Sequence, residues 1–164
     1  MVLEVGVRIP VPEQSNRQYF ERSYCNTAMI KTGRILVSVA ALSVPLVQWP
    51  VDFNSSHAFN PEWPPHARFH EVVLLLFGTG MAVVALWLIW GRTKDPDTHM
   101  KVATLVPILA WGTFFIAILV PGTGFDDYPE ATPTIPPNLI VAGLFSSLSA
   151  AGYALYVRGC KKKP

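Results

Sequence analysis

The stretch Val72–Trp90, VVLLLFGTGMAVVALWLIW, decides the fold class of this sequence. It runs for 19 residues without a charged side chain. A helix needs about 20 mostly apolar residues to cross the roughly 30 Å of hydrocarbon in a bilayer. The stretch ends on Trp87 and Trp90, and tryptophan is typical of the membrane–water interface. We therefore predict a membrane-spanning helix here.

Three further apolar runs flank this one. They cover residues 35–51, 102–120 and 138–157. Only 15% of the 164 residues are charged, whereas soluble domains average about 25%. The sequence thus predicts an all-α fold, a four-helix transmembrane bundle spanning residues 35–157. A polar N-terminal tail at 1–34 would precede the bundle, and a basic tail at 158–164 would follow it.

The basic residues predict how the bundle is oriented. Four spans place both termini and the loop 91–101 on one side of the membrane. Twelve of the 13 lysines and arginines fall on that side, and Arg68 alone falls on the other. By the positive-inside rule, both termini are expected in the cytosol. The net charge of +2 is too small for a typical nucleic-acid-binding protein, so no nucleic-acid partner is expected.

The C-terminal sequence Lys161-Lys162-Lys163-Pro164 bears on the location of the protein. It resembles a dilysine endoplasmic-reticulum retrieval signal, and it equally fits a basic flank that fixes orientation. We expect a multi-pass protein of the endoplasmic reticulum membrane if the host is eukaryotic. Cys25 and Cys160 would both face the cytosol, where a disulfide is not expected.

Polar residues are concentrated between the first two spans, in the segment Asp52–Glu71. It holds three of the four histidines, three acidic residues and Arg68. Ionisable groups in or beside membrane spans are costly and are commonly functional. On a helix that begins near Pro65, His66 and His70 share a face, and Glu71 lies about 100° around from His70. The segment is therefore the candidate functional site.

Acid–base chemistry is the first of three interpretations of this segment. Asp52 and Glu71 would exchange protons with a lipophilic substrate at the membrane boundary. His66 and His70 would relay protons or orient groups, and Arg68 would hold a carboxylate ionised. No metal or other cofactor is needed in this interpretation. It predicts a small membrane enzyme that performs isomerisation or cyclisation, for example in a biosynthetic pathway of secondary metabolism.

Two other interpretations stay open. His66 and His70, four residues apart, could bind zinc or non-haem iron together with His57, Asp52 or Glu71, as in a metal-dependent oxygenase. Alternatively, the polar groups only satisfy one another at the interface beside an aromatic belt. The protein would then be a non-catalytic lipid-binding, scaffold or transport-accessory protein.

A lipophilic ligand would need apolar contacts, and membrane lipids are expected partners in any case. We assign ligand contacts to Trp63, Phe69 and Trp111, although the position of Trp111 in the middle of the third span favours core packing over ligand contact. Small residues favour close helix packing within the bundle or in a homodimer. These small residues are Gly78-Thr79-Gly80 in the second span and Gly143, Ser147 and Ala151 in the fourth.

The pattern Asp52…His57-x-Phe59-Asn60-Pro61-x-Trp63-Pro64-Pro65-His66-Ala67-Arg68-Phe69-His70 resembles the signature of an uncharacterised family of small four-span proteins from fungi and bacteria. More loosely, the chain is similar to the EXPERA group, which includes emopamil-binding sterol isomerases and the sigma-2 receptor. Asp52 and Glu71 are placed similarly to the two membrane carboxylates of that group. This second resemblance implies a four-span protein of the endoplasmic reticulum with a lipophilic pocket.

Overall fold

The computed structural model describes residues 25–125 and 136–160, and this part of the chain forms four α-helices without any strand. All four helices are long and apolar enough to cross a membrane. The predicted fold class is therefore confirmed. Most of the predicted N-terminal tail and the lysines of the C-terminal tail lie outside the described residues. The helices are α1 (Thr27–Asp52), α2 (Pro65–Trp90), α3 (Pro96–Ala117) and α4 (Pro137–Cys160).

Capping groups and turns set the helix boundaries more sharply than hydropathy does. α1 begins at Thr27, eight residues before the predicted span, because the Asn26 side chain accepts a hydrogen bond from the Met29 amide at 3.1 Å. α3 ends at Ala117, three residues before the predicted end of its span. The chain turns there and passes through Gly122, whose positive φ of 87° suits a residue without Cβ. α2 begins at Pro65, as the sequence predicts.

The first and last helices cross at very short range. A Cβ atom added to Gly33 would lie 2.5 Å from the Gly152 carbonyl oxygen, and one added to Gly152 would lie 2.9 Å from the Gly33 carbonyl oxygen. The backbone amide of Asn26 donates to the Gly159 carbonyl at 3.0 Å. The start of α1 and the end of α4 therefore meet at one end of the bundle. We call this the basic end, after its described basic residues Lys31, Arg34, Arg92, Lys94, Lys101 and Arg158.

The small residues that the sequence assigns to close packing in α4 are not the ones that pack inside the bundle. Ser147 and Ala151 are exposed, and a Cβ on Gly143 would come no closer than 3.9 Å to Phe115. The fully buried Ser149 and Gly152, on the neighbouring face, contact the other helices instead. α4 therefore uses an adjacent face for intramolecular packing, and the predicted face points outward.

Tryptophan side chains join the helices through hydrogen bonds. The indole nitrogens of Trp49, Trp90 and Trp111 each donate to a hydroxyl on another helix, at 2.9, 3.0 and 2.9 Å. The accepting hydroxyls belong to Thr79, Ser38 and Ser43. Each hydroxyl in turn donates to a carbonyl of its own helix. These three indole N–H groups thus have partners within the protein, which matters where no water is available.

Candidate functional site

A cavity of about 420 Å³ lies between α1, α2 and α3, and it extends from the end opposite the basic end toward the middle of the bundle. Most of its wall is apolar, and two carboxylates, one amide and one hydroxyl interrupt it. The lining residues are Val44, Gln48, Asp52, Glu71, Leu74, Phe77, Gly78, Met81, Val106, Leu109, Ala110, Thr113 and Phe114. An apolar cavity with a few converging polar groups is the usual form of a small-molecule site.

α1 contributes one face to this cavity. Val44, Gln48 and Asp52 follow one another at intervals of four residues, so they lie above each other on the helix. Asp52 is the last residue of α1 and is partly buried. Gln48 was not among the predicted site residues. An amide one helical turn before Asp52, inside an otherwise apolar span, was the pattern that could have identified it.

α2 contributes the facing wall. Glu71, Leu74, Gly78 and Met81 are spaced by three or four residues, which places them on one stripe of the helix. Gly78 is buried, and a Cβ there would lie 3.0 Å from Gln48 Oε1 and 3.1 Å from Val44 Cγ1. The missing side chain thus leaves space for the Gln48 amide, which lies between the two helices at the cavity wall.

The third wall, on α3, opens the cavity toward the surrounding membrane. Leu109 is 65% exposed, and Phe77 across from it on α2 is 63% exposed. The Thr113 hydroxyl donates to the Ala110 carbonyl at 2.7 Å and keeps its acceptor capacity for a ligand. A second cavity of about 270 Å³ adjoins the first and shares Leu74, Thr113 and Phe114 with it. The two cavities therefore meet at Leu74, Thr113 and Phe114.

The charge of the main cavity is unbalanced. Asp52 and Glu71 both line it, and no lysine, arginine or histidine does so among the described residues. The sequence assigned Arg68 as a partner for one of these carboxylates. In the structure, Arg68 instead donates to the backbone carbonyls of Trp63 and Pro61, at 3.1 and 3.2 Å. Arg68 therefore stabilises the loop and is not part of the cavity wall.

The loop between α1 and α2 is held together by its own hydrogen bonds. The Asn54 side chain accepts from the Ser56 amide at 2.8 Å, and the Asn60 side chain donates to the Ser56 carbonyl at 3.0 Å. His57 lies 2.8 Å from the Ser56 hydroxyl, and its ring meets the edge of Trp63. None of these side chains lines the main cavity. Most side chains of the segment 53–64 thus stabilise the loop between α1 and α2.

His66 and His70 share one face of α2, as the helical spacing predicts. Their Nε2 atoms are 3.0 Å apart, and both side chains are exposed. Phe69, 61% exposed, lies with its ring nearly parallel to that of His66. The structure does not bring either histidine to the cavity wall, where Glu71 lies.

The three predicted ligand contacts also lie away from the main cavity. Trp63 packs against His57 in the loop, and Phe69 points outward. Trp111 is only 2% exposed and packs in the core with Val44 and Ala142. Its hydrogen bond to Ser43 and its stacking on Phe145 account for its position. Trp111 therefore supports Phe114, which does line the cavity, from behind.

A three-ligand metal centre is not formed within residues 25–125 and 136–160. No three histidine, cysteine, aspartate or glutamate side chains converge there. His57 is held by Ser56 and Trp63, apart from the pair His66 and His70. The described part of the chain therefore does not bring His57, His66 and His70 together as the ligands of one metal ion.

Fold and site together define a class: a multi-pass α-helical membrane protein with an apolar cavity that carries two carboxylates. Residues 36–163 match the model of a family of unknown function, DUF6640, and the chain belongs to this family. This match agrees with the predicted membership of an uncharacterised family; the resemblance to the EXPERA group stays a prediction. The comparisons with curated proteins and with solved structures each found no match.

Proposed function

We propose that this protein binds a lipophilic metabolite from the membrane and catalyses proton transfer on it. The observation that carries the proposal is the apolar cavity that Asp52 and Glu71 both line, whereas no lysine, arginine or histidine of the described residues does so. Paired carboxylates in an apolar site can divide the roles of acid and base between them. The reaction class is an isomerisation or a cyclisation that needs no oxidant.

The shape of the cavity supports entry from the bilayer. Its exposed apolar residues, Leu74, Phe77 and Leu109, would contact lipid chains when the site is empty. Asp52 is the last residue of α1 and Glu71 lies in the second turn of α2, whereas Met81 and Val106 belong to the apolar part of the wall. A ligand would thus place its polar group beside Asp52 and Glu71 and its apolar body along Met81 and Val106.

The chemistry balances without a cofactor. One carboxylic acid delivers its proton to a carbon of a substrate double bond, and the other carboxylate removes a proton from a carbon next to it. The double bond moves, and the two carboxyl groups end with exchanged protonation states. Gln48 and Thr113 would hold a polar group of the substrate by hydrogen bonds.

Hydrogen–deuterium exchange into lipids tests this proposal even while the substrate is unidentified. The purified protein is incubated in D₂O with a lipid extract of its host, and the lipids are analysed by mass spectrometry. We expect deuterium at a carbon position of one lipid class. Glu71→Gln and Asp52→Asn should each lower the rate at least 100-fold, since general acid–base groups contribute typically 10²–10⁴-fold.

His99→Ala is the control for this experiment, because His99 lies in the first turn of α3 at the basic end and does not line the cavity. Its exchange rate should stay within about twofold of the wild type. Exchange that persists in both carboxylate variants would contradict the proposal. Lipid that co-purifies without any exchange would instead favour a non-catalytic lipid-binding protein.

The proposed location and orientation follow from the sequence. We place both termini in the cytosol and, in a eukaryotic host, the protein in the endoplasmic reticulum. The described cations gathered at the basic end support this orientation. The lysines 161–163, on which the retrieval hypothesis depends, lie outside the described residues. Homodimerisation through the outward face of α4 is a further proposal, supported by the exposure of Ser147 and Ala151.

A further inference from the structure

The first two turns of α2 carry a pair of imidazoles that the proposed reaction does not use. His66 Nε2 and His70 Nε2 are 3.0 Å apart, with their rings nearly perpendicular. Neither side chain lines the cavity, and both are exposed. We propose that this pair is a two-histidine binding site for a divalent late transition-metal ion, with Cu²⁺ or Zn²⁺ as the chemical class of ligand.

The separation of the two nitrogens fits chelation of one ion. Two nitrogens bound about 2.0–2.1 Å from a tetrahedral zinc ion lie about 3.3 Å apart. Two nitrogens that bind copper at a right angle lie about 2.9 Å apart. The observed 3.0 Å falls between these values. Both side chains are exposed, so their rings can turn until both Nε2 lone pairs point at one ion.

The protons also balance. When both imidazoles are neutral, this contact requires one Nε2 to carry a hydrogen and the other to accept it. A bound ion takes both Nε2 lone pairs, and the donor imidazole then carries its hydrogen on Nδ1 instead. A neutral pair therefore binds the ion without losing a proton, whereas protonated histidines must first release theirs.

The local structure holds the pair in place. Pro65 at the first helical position and the bond from the Ala67 amide to the Pro64 carbonyl, at 3.0 Å, fix the start of α2. The Phe69 ring lies 6.5 Å from that of His66 and 5.7 Å from that of His70, centre to centre. The Arg68 side chain is bonded to loop carbonyls, so its charge is directed toward the loop.

Catalytic and structural zinc sites normally have three or four protein ligands. The two histidines therefore leave coordination positions that water can fill. The site should therefore bind an ion reversibly and exchange it with solvent. Copper should bind more tightly than zinc, in the usual order for nitrogen ligands. The function of such a site is metal-dependent stabilisation of the first two turns of α2, because the ion would join two residues one turn apart on that helix.

Copper titration with electron paramagnetic resonance tests this inference, on protein without a histidine tag. We expect one Cu²⁺ per chain with two equatorial imidazoles, and at least tenfold weaker binding in His66→Ala and in His70→Ala. His57→Ala and His99→Ala are matched controls, since neither residue belongs to the pair, and both should bind as the wild type does.

The same samples give a second measurement. Zinc should raise the thermal midpoint of the wild type and of His57→Ala, and it should leave that of His66→Ala unchanged. Binding of unchanged affinity in both pair variants, a spectrum without two imidazoles, or no stoichiometric binding at micromolar copper would overturn the inference. Deuterium exchange by the carboxylates does not depend on the outcome, because neither histidine lines the cavity.

Discussion

At the residue scale, the candidate site depends on a few polar side chains and on one glycine that makes room for them. Gln48 lies beside Gly78, and Asp52 follows one turn later on the same face of α1. Asp52 and Glu71 could be predicted from the sequence because they are the acids that border the spans. Gln48 and Thr113 were missed because single uncharged polar residues are common in membrane helices and usually only contact their own backbone.

Gly78→Ala should disturb the cavity wall, because the new Cβ would lie 3.0 Å from Gln48 Oε1 and 3.1 Å from Val44 Cγ1. We expect displacement of the Gln48 amide, a lower thermal midpoint and less co-purified lipid, measured by thermal unfolding in detergent and by lipid mass spectrometry. Gly80→Ala is the matched control, since nothing lies within 4 Å of its Cβ. Equal lipid content in the two variants would contradict the assigned role of Gly78.

Trp111→Phe should cost about 0.5–1.5 kcal/mol of unfolding free energy, because it removes one hydrogen bond and keeps an aromatic ring in the core. Trp111→Ala should cost about 3–5 kcal/mol, since it also leaves a cavity. Reversible unfolding in mixed micelles measures both values. A double-mutant cycle with Ser43→Ala isolates the bond, and a coupling energy of zero would show that the bond does not contribute.

At the scale of the helices, α1 is the central element. It crosses α4 at Gly33 and Gly152, and it accepts indole hydrogen bonds from α2 through Ser38 and from α3 through Ser43. The existence of the four spans followed from hydropathy. Hydropathy did not predict which face each helix turns inward, because all four helices are apolar around most of their circumference and lack a distinct polar stripe.

Gly33→Ala should weaken the α1–α4 crossing, because its Cβ would lie 2.5 Å from one backbone atom and 2.7 Å from another. Backbone cannot rotate away as a side chain does, so we expect a loss of about 1–3 kcal/mol or misfolding. Gly112→Ala, with nothing within 4 Å of its Cβ, should be neutral or slightly stabilising. The test compares the thermal midpoints of the two variants. Equal midpoints would contradict the close contact between α1 and α4 at Gly33.

At the scale of the whole molecule, the bundle has two unlike ends. Six described cations lie at the basic end, while the cavity carboxylates lie toward the other. The sequence predicts this division because the order of the four spans alone assigns each tail and loop, with its charges, to one end of the bundle. It could not predict the cavity between α1, α2 and α3, nor that His66, His70 and Arg68 would lie outside its wall. Those outcomes depend on helix rotation and on loop hydrogen bonds.

The proposed orientation and location predict which cysteines an impermeant maleimide reaches in sealed microsomes. Cys25 is exposed at the basic end, so it should be labelled without detergent in a Cys160→Ser variant. A cysteine at exposed Thr123, introduced as Thr123→Cys with Cys25→Ser and Cys160→Ser, should be labelled only after lysis. The reverse pattern would place the termini outside the cytosol.

The most direct test of the central claim asks whether the proton-transfer reaction takes place in the cavity. Ala110→Phe fills the cavity without removing a carboxylate, and Ala150→Phe adds the same ring at an exposed position of α4. Deuterium incorporation into host lipids is measured for both variants, after thermal unfolding has shown that both are folded. We predict that Ala110→Phe loses the exchange and that Ala150→Phe keeps it. Full exchange in Ala110→Phe would contradict the account, because the reaction would then take place outside this cavity.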